Sequence, residues 1–231
     1  MVTRAEVVQG LLSLYDQPAY LEVGVGDGDT FHAVKARRKV AVDPKFNFDP
    51  KAAAKAAPEA SFHQVPSDEY FGQIAPADER FEVIYLDGLH TFDQTLRDLI
   101  NALRLIQRNG VIIIDDLKPA NYAASLKDRD QFWAVKEAWK IPKGSWMGDV
   151  YRLVFFIHSY CQQFTYRAVA DNHGQLVMWH APRRAGELGG RSVEQVARAP
   201  FEDTVLDAAA FNFKPFAEIL ADAGAAVRGS R

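Results

Sequence analysis

The sequence predicts an α/β fold in which a parallel sheet is covered by helices and closed by an antiparallel hairpin. Three observations predict it. Short apolar runs alternate with helical patterns from residue 19 to residue 116, the rhythm of repeated β/α units with right-handed crossovers. The run Val111-Ile112-Ile113-Ile114 has no polar face, as a strand covered on both sides requires. Near the C-terminus the rhythm changes to strand, turn, strand: 164–170, the turn Asp171-Asn172-His173-Gly174, and 175–180.

The elements follow in order. Thr3-Arg4-Ala5-Glu6 is a capping-box pattern, and Val7, Val8, Leu11, Leu12 and Tyr15 share a helical face that stops by Pro18. A first strand ends at Val23, a helix spans about 29–37, and a second strand covers 39–43. Alanine-rich Lys51–Ala57 is helical, Ser61–Val65 is a third strand, and Phe81–Leu86 is a fourth that ends at Asp87. Phe92, Leu96, Leu99, Ile100, Leu103 and Ile106 mark one face of a long helix, with Asn109-Gly110 as its stop signal. Residues 117–163, rich in Trp and Tyr, read as a long insertion after the fifth strand. Residues 181–202 read as loop, 203–223 as a terminal helix and 224–231 as a loose tail.

Composition narrows the function. The chain has 231 residues, 48% hydrophobic and 25% charged, enough for one domain with a substantial core. Its net charge is −3 and no basic-aromatic stripe occurs, which argues against a nucleic-acid partner. Arg37-Arg38-Lys39 and Arg183-Arg184 read as solvated loop charge. The one cysteine, Cys161, beside Tyr160 and Phe164, reads as a packed thiol, and a reducing cytoplasm is the expected compartment. No apolar run reaches the ~18 residues of a membrane span, and the N-terminus has no signal-peptide pattern.

Residues 19–29 carry the strongest functional signal. A strand ending at Val23 runs into Gly24, Gly26 and Gly28, and Asp29-Thr30-Phe31 then opens a helix. Such a turn lets backbone N–H groups approach a ligand closely. A dinucleotide fingerprint needs a third glycine at position 29, which is Asp here. Glu22 stands two residues before the first glycine; it repels phosphate and suits a cation. Asp43, at the tip of the second strand, can accept both hydroxyls of a ribose, or else cap a turn before Pro44. Together these features point to a nucleoside ligand that carries positive charge and no phosphate, as S-adenosyl-L-methionine (SAM) does.

Asp87, Asp115 and Asp116 stand at the tips of the fourth and fifth strands, the edge at which open α/β sheets bind ligands. Three hard oxygen ligands suit Mg²⁺ or Ca²⁺ rather than zinc; the alternative is that Asp87 faces the cofactor while the other two cap a loop. His90, three residues past Asp87, is the expected general base, with a helix-start role as the alternative. His63, His158, His173 and His180 have no comparable context.

Leu21-Glu22-Val23-Gly24-Val25-Gly26-Asp27-Gly28 resembles motif I of class I SAM-dependent methyltransferases, and Asp43 resembles the acid of their second motif. Phe62–Phe71, with Ser67 and Asp68, resembles the segment carrying their adenine-contacting acid; a helix N-cap is the other reading of Ser67-Asp68. Ile84-Tyr85-Leu86-Asp87-Gly88-Leu89-His90-Thr91-Phe92 resembles the Asp-Gly-x-His signature of a subgroup rich in sugar and natural-product O-methyltransferases. Ile113–Asp116 and Trp146–Tyr151 are similar to that subgroup too.

The resemblance implies a Rossmann-like, seven-stranded class I methyltransferase sheet with helical additions. It divides the chain into an N-terminal helix (1–18), a methyltransferase domain (19–180, with 117–163 as lid and acceptor insertion) and a C-terminal extension (181–231). It implies SAM held by Glu22, Gly24, Gly26, Gly28, Asp43, Ser67, Asp68 and Asp87. It implies His90 and Asp87 as catalytic groups, and Mg²⁺ on Asp87, Asp115 and Asp116. The acceptor would be a small hydroxylated molecule, covered by Tyr122, Trp133, Trp139, Trp146 and Tyr151, with packing within the lid as the alternative for most of these aromatics. Neither a nucleic acid nor a membrane is expected as partner, and homo-oligomerisation is left open. An NAD(P)-dependent oxidoreductase and a non-catalytic SAM-binding protein are the competing readings.

Overall fold

A computed structural model describes residues 1–142 and 144–229. Seven strands form one sheet: β1 (Ala19–Val23), β2 (Arg38–Val42), β3 (Ala60–His63), β4 (Phe81–Leu86), β5 (Ile106–Ile114), β6 (Phe164–Ala168) and β7 (Leu176–His180). Their order is β3-β2-β1-β4-β5-β7-β6. β3 to β5 run parallel, and β7 pairs antiparallel with both β5 and β6. This is the architecture that the alternation and the C-terminal hairpin predict.

The helices are α1 (Arg4–Leu12), α2 (Asp29–Ala33), α3 (Pro50–Ala56), α4 (Ser67–Glu69), α5 (Phe92–Leu105), α6 (Arg129–Ala138), α7 (Arg152–Tyr160), α8 (Val193–Ala197), α9 (Asp203–Leu206) and α10 (Phe216–Gly229). Alternate residues of the strands feed two cores, as the two-residue period of a strand dictates. Leu21, Val23, Ile84, Leu86, Ile112 and Ile114 face α5 and α7 through Leu99, Leu105 and Phe155. Tyr20, Val83, Tyr85, Val111 and Ile113 face α1 and α10 through Val7, Leu11 and Ile219. α1 begins where expected: Thr3 and Glu6 satisfy each other's backbone N–H groups in a capping box.

Several boundaries differ from the sequence reading. α2 stops at Ala33 rather than near 37, with the Lys39 ammonium donating to the carbonyls of Phe31 and Val34 at its end. Lys39 is therefore buried, not solvated. Arg183 is buried too, donating to the carbonyls of Phe164, Ile157 and Cys161. α5 ends at Leu105, and the chain is extended from Ile106 onward. Asn109-Gly110 is thus an irregularity inside β5, marked by the register shift between Phe81 and Val83, and not a helix stop. Ile100 faces outward while Ala102 and Leu105 are buried.

The 117–163 segment is not all lid. α7 buries Leu153, Val154, Phe155 and Ile157 in the main core. Within 181–202 the expected loop contains α8, capped by Ser192 and Gln195. The expected 203–223 helix is broken: α9 ends early, Asn212 takes φ 50°, and α10 begins only after Pro215. Residues 224–229 belong to α10 rather than to a loose tail; 230–231 lie outside the described residues. Cys161 is buried, and burial pushes its thiol pKa up to about 11. No described helix is long and apolar enough to cross a membrane.

Candidate active site

Strand register builds the site. Val23 pairs with Leu86, and Leu86 with Ile114, so Gly24, Asp87 and Asp115 emerge side by side at one edge of the sheet. The strand order reverses between β1 and β4, and that is where a crevice opens. A cavity of about 600 Å³ fills it.

Gly24 has φ +86°, and a Cβ there would lie 1.9 Å from the Asp87 carbonyl oxygen, so the turn needs glycine to pass β4. Gly26 faces open space and lines the cavity. Gly28 precedes α2 with φ +82° and packs on His32. Asp43 holds this turn from the side: its Oδ2 accepts from the N–H groups of Val25 (2.8 Å) and Gly26 (2.9 Å). Its Oδ1 accepts from Lys45 N–H at 2.7 Å, which is the turn-capping alternative realised as well.

Glu22 does not hold the turn's N–H groups. It lies one level deeper, where it accepts from the Tyr20 hydroxyl at 2.6 Å. Burial raises its pKa to about 8, although Tyr20 and Lys39 pull the other way. Ser67 and Asp68 also line the cavity. Neither caps α4, whose N-cap is Pro66 without a side-chain bond. Both accept from the Gln94 amide at 3.2 Å, and that amide also donates to Asp98.

The other wall is a cluster of acids. The side chain of Asp115 is 1% exposed. It accepts from Arg4 Nε and from the Tyr85 hydroxyl (2.6 Å) on Oδ2, and from His173 Nε2 (2.8 Å) on Oδ1. Burial alone would raise its pKa, but His173, Arg4 and Tyr85 outweigh burial and hold it well below the ordinary value. Asp87 goes the other way: burial first, then Asp115 and Asp116, raise its pKa. Asp116 sits at φ 62°, uncommon outside glycine. Its Oδ2 is buried, with the His90 imidazole as ion-pair partner.

His90 connects the acids to the rest of the site. Its Nδ1 is 3.2 Å from the Trp146 carbonyl oxygen and 2.8 Å from Asp116 Oδ2. Its Nε2 is 3.6 Å from Asp87 Oδ1. Burial would lower its pKa, but Asp116 and the Trp146 carbonyl reverse that and raise it above 6.5. The Trp146 indole stacks on the imidazole at 5.2 Å.

The acids form two groups that meet at Asp116: Asp87, His90 and Asp116, and Asp115, Asp116 and His173. Within each group the ligand atoms lie within 4.8 Å of one another. The carboxylates of Asp87 and Asp116, brought this close together, fit a hard divalent cation. Asp115, occupied by three side-chain donors and by the Asp116 N–H, offers it no free oxygen of comparable access.

A second cavity of about 480 Å³ shares Gly88, Leu89 and His90 with the first and is walled by Arg129, Phe132, Trp133 and Trp146. Trp133 is half exposed there. Tyr151 takes no part: it is buried and donates to the Ala199 carbonyl.

Residues 21–117 match the model of a family described as a methyltransferase domain. The chain has the fold of a class I methyltransferase. The sheet agrees. The O-methyltransferase TomG of Streptomyces achromogenes, solved with SAM, superposes with TM-score 0.52 at 14% identity over 78% of this chain and 82% of that one. Cofactor-bound Rv0187 from MTB gives TM-score 0.52 at 14% identity over 79% and 83%. A candidate caffeoyl-CoA O-methyltransferase from Staphylococcus aureus gives 0.52 at 12% over 78% and 85%. At such identities these likenesses are of fold. No curated protein matches the sequence.

The site contains residues that the sequence pattern does not reveal. Arg4 comes from α1, outside the β/α repeats. His173 comes from the hairpin turn, and Tyr85 reads as a buried strand residue. Asp149 accepts from the Phe92 N–H at 2.7 Å and so starts α5, while Gly148 passes so close to the His90 carbonyl that a Cβ would lie 1.6 Å away. The similarity of Trp146–Tyr151 to the O-methyltransferase subgroup was the only signal for this clamp.

Proposed function

We propose that this chain transfers the methyl group of SAM to a hydroxyl oxygen of a small molecule, with His90 as general base. The position of His90 carries the reading: it is shared by both cavities, with Nδ1 anchored at Trp146 and Nε2 turned toward Asp87. The glycine-turn cavity is the cofactor side. Its described lining holds Asp27, Asp29, Asp43 and Asp68, with Glu22 and Asp87 as acids that a bound cation would help to ionise, against one guanidinium, Arg4. That balance attracts an ammonium and a sulfonium and repels the pyrophosphate of NAD(P).

In this reading the methionine part lies along Gly24 and Gly26 near Glu22, the ribose reaches Asp43 at the rim, and the adenine lies toward Ser67 and Asp68. Gly28 orients α2 behind the turn. The acceptor enters through the second cavity, where Trp133 and Trp146 exclude water. Its oxygen attacks the methyl carbon in line with the sulfonium. The O–C bond forms as the S–C bond breaks, the sulfur leaves as a neutral thioether, and the hydroxyl proton passes to His90 Nε2. Asp87 and Asp116 would hold Mg²⁺, which when bound lowers the pKa of the acceptor hydroxyl.

Calorimetry with S-adenosylhomocysteine and with NAD, followed by transfer of a radiolabelled SAM methyl group to a panel of sugars and phenols, tests this function. Tight S-adenosylhomocysteine binding, with label in an alkali-stable ether, is expected. Preferential NAD binding would overturn the assignment.

A further inference from the structure

Arg4 is the one basic side chain besides His90 among the described residues lining the principal cavity, and it arrives from the N-terminal helix rather than from the sheet edge. Its placement is built. The Thr3–Glu6 capping box sets where α1 starts, the Val2 N–H donates to the Asp171 carbonyl at 3.1 Å, and Val7, Val8, Leu11 and Leu12 are buried beneath the sheet. From there Arg4 Nε donates to Asp115, and Nη2 stands 3.7 Å from Asp116 Oδ1.

The two partners differ in freedom. The Asp115 and Asp116 side chains are 1% and 3% exposed, whereas that of Arg4 is 41% exposed. The acids are fixed by the strand end; the guanidinium lies on a long side chain with solvent on its far side. Asp116 meets Arg4 through Oδ1, while its Oδ2 lies 2.8 Å from His90 Nδ1, in the group that also holds Asp87. A cation between Asp87 and Asp116 would therefore share Asp116 with Arg4, and two like charges on one buried carboxylate repel strongly.

We propose that Arg4 is the resident, displaceable cation of the acid cluster, and that it competes with a divalent ion for Asp116. Metal occupancy is then coupled to the seating of the first turn of α1. The inference rests on the reading of Asp87 and Asp116 as the cation-holding pair. It makes the N-terminal helix part of the site's electrostatics: seated, Arg4 neutralises the acids; swung out, it yields them to a divalent ion.

Mn²⁺ titration of the full-length chain, followed by electron paramagnetic resonance, tests the competition in wild type, Arg4→Gln and Arg4→Lys. Arg4→Gln is expected to bind Mn²⁺ at least about tenfold tighter than wild type, the direction set by removing a like charge. Arg4→Lys, which keeps the charge, should stay near wild type. Equal affinity in wild type and Arg4→Gln overturns the competition while leaving the metal pair intact. No Mn²⁺ binding in either overturns both. Hydrogen exchange of wild-type residues 1–12 keeps the test independent of how the variants fold. Saturating Mn²⁺ should speed exchange in the first turn of α1, and unchanged exchange overturns the coupling.

Discussion

The Nδ1 of His90 lies 3.2 Å from the carbonyl oxygen of Trp146. A carbonyl only accepts, so Nδ1 carries the proton and the Nε2 lone pair is left for chemistry. Asp116 beside the same nitrogen stabilises the imidazolium that forms after proton abstraction. Trp146 thus orients the base from a segment fifty-six residues away in sequence.

Replacing His90 tests this arrangement. His90→Ala should lower kcat by about 10²–10⁴-fold, the usual contribution of a positioned base, with S-adenosylhomocysteine affinity nearly unchanged. The base works deprotonated, so wild-type kcat/KM should rise with pH and level off only above the raised pKa of His90, beyond the 6.5 of an ordinary histidine. A profile flat through that range would remove His90 from the mechanism.

Asp43 both braces the turn and lines the cavity. Asp43→Ala frees the N–H groups of Val25 and Gly26. Cofactor affinity should fall by roughly 1.5–3 kcal/mol, the scale of hydrogen bonds to a charged group. Calorimetry with S-adenosylhomocysteine measures it, and an unaltered Kd would contradict the placement of the nucleoside.

Glu22 links pH to both stability and binding. Its folded pKa of about 8 exceeds the ordinary 4.5, so the folded chain keeps a proton that the unfolded chain loses in between. This contribution is fully present below about 4.5 and is lost as pH rises through 8. Urea unfolding between pH 6 and 9 should show stability falling in wild type and a flatter curve in Glu22→Gln. A cationic cofactor would favour the ionised form, so binding near pH 7 should release up to about one proton. Calorimetry in buffers of different ionisation enthalpy reads that release, and Glu22→Gln should abolish it.

Two glycines of the same turn should respond differently. Gly24→Ala places a methyl group 1.9 Å from the Asp87 carbonyl oxygen and should prevent stable folding. Gly26→Ala meets no atom within 4 Å and should cost only about 1–2 kcal/mol for its left-handed φ of +52°. It should still weaken cofactor binding, because its methyl group enters the cavity. Thermal unfolding and calorimetry separate the two outcomes.

Metal removal probes the acid pair. EDTA should lower turnover and Mg²⁺ restore it, while Asp116→Asn should lose the Mg²⁺ response and keep S-adenosylhomocysteine binding within about twofold. Full activity after EDTA would leave Asp87 and Asp116 to bind the acceptor directly.

The sequence by itself determined the sheet and the glycine turn. Strand alternation, the apolar run at Val111–Ile114 and the spacing of Gly24, Gly26 and Gly28 are local signals, and local signals survive in one dimension. They also brought Asp43, Asp87 and Asp115 to strand tips, because the tip of a strand is where its apolar run stops. Only the tertiary structure decided the partners of those carboxylates. Arg4 and His173 reach Asp115 across 111 and 58 residues, and Asp43 rather than Glu22 braces the turn because it stands level with it at the end of β2. Helix ends escape the sequence for the same reason: Lys39 at the end of α2 and the Phe81–Ile106 pairing after α5 are contacts between segments, which no local pattern records. Charge on a buried acid is set by whichever donors the fold delivers, and burial keeps water from substituting for them.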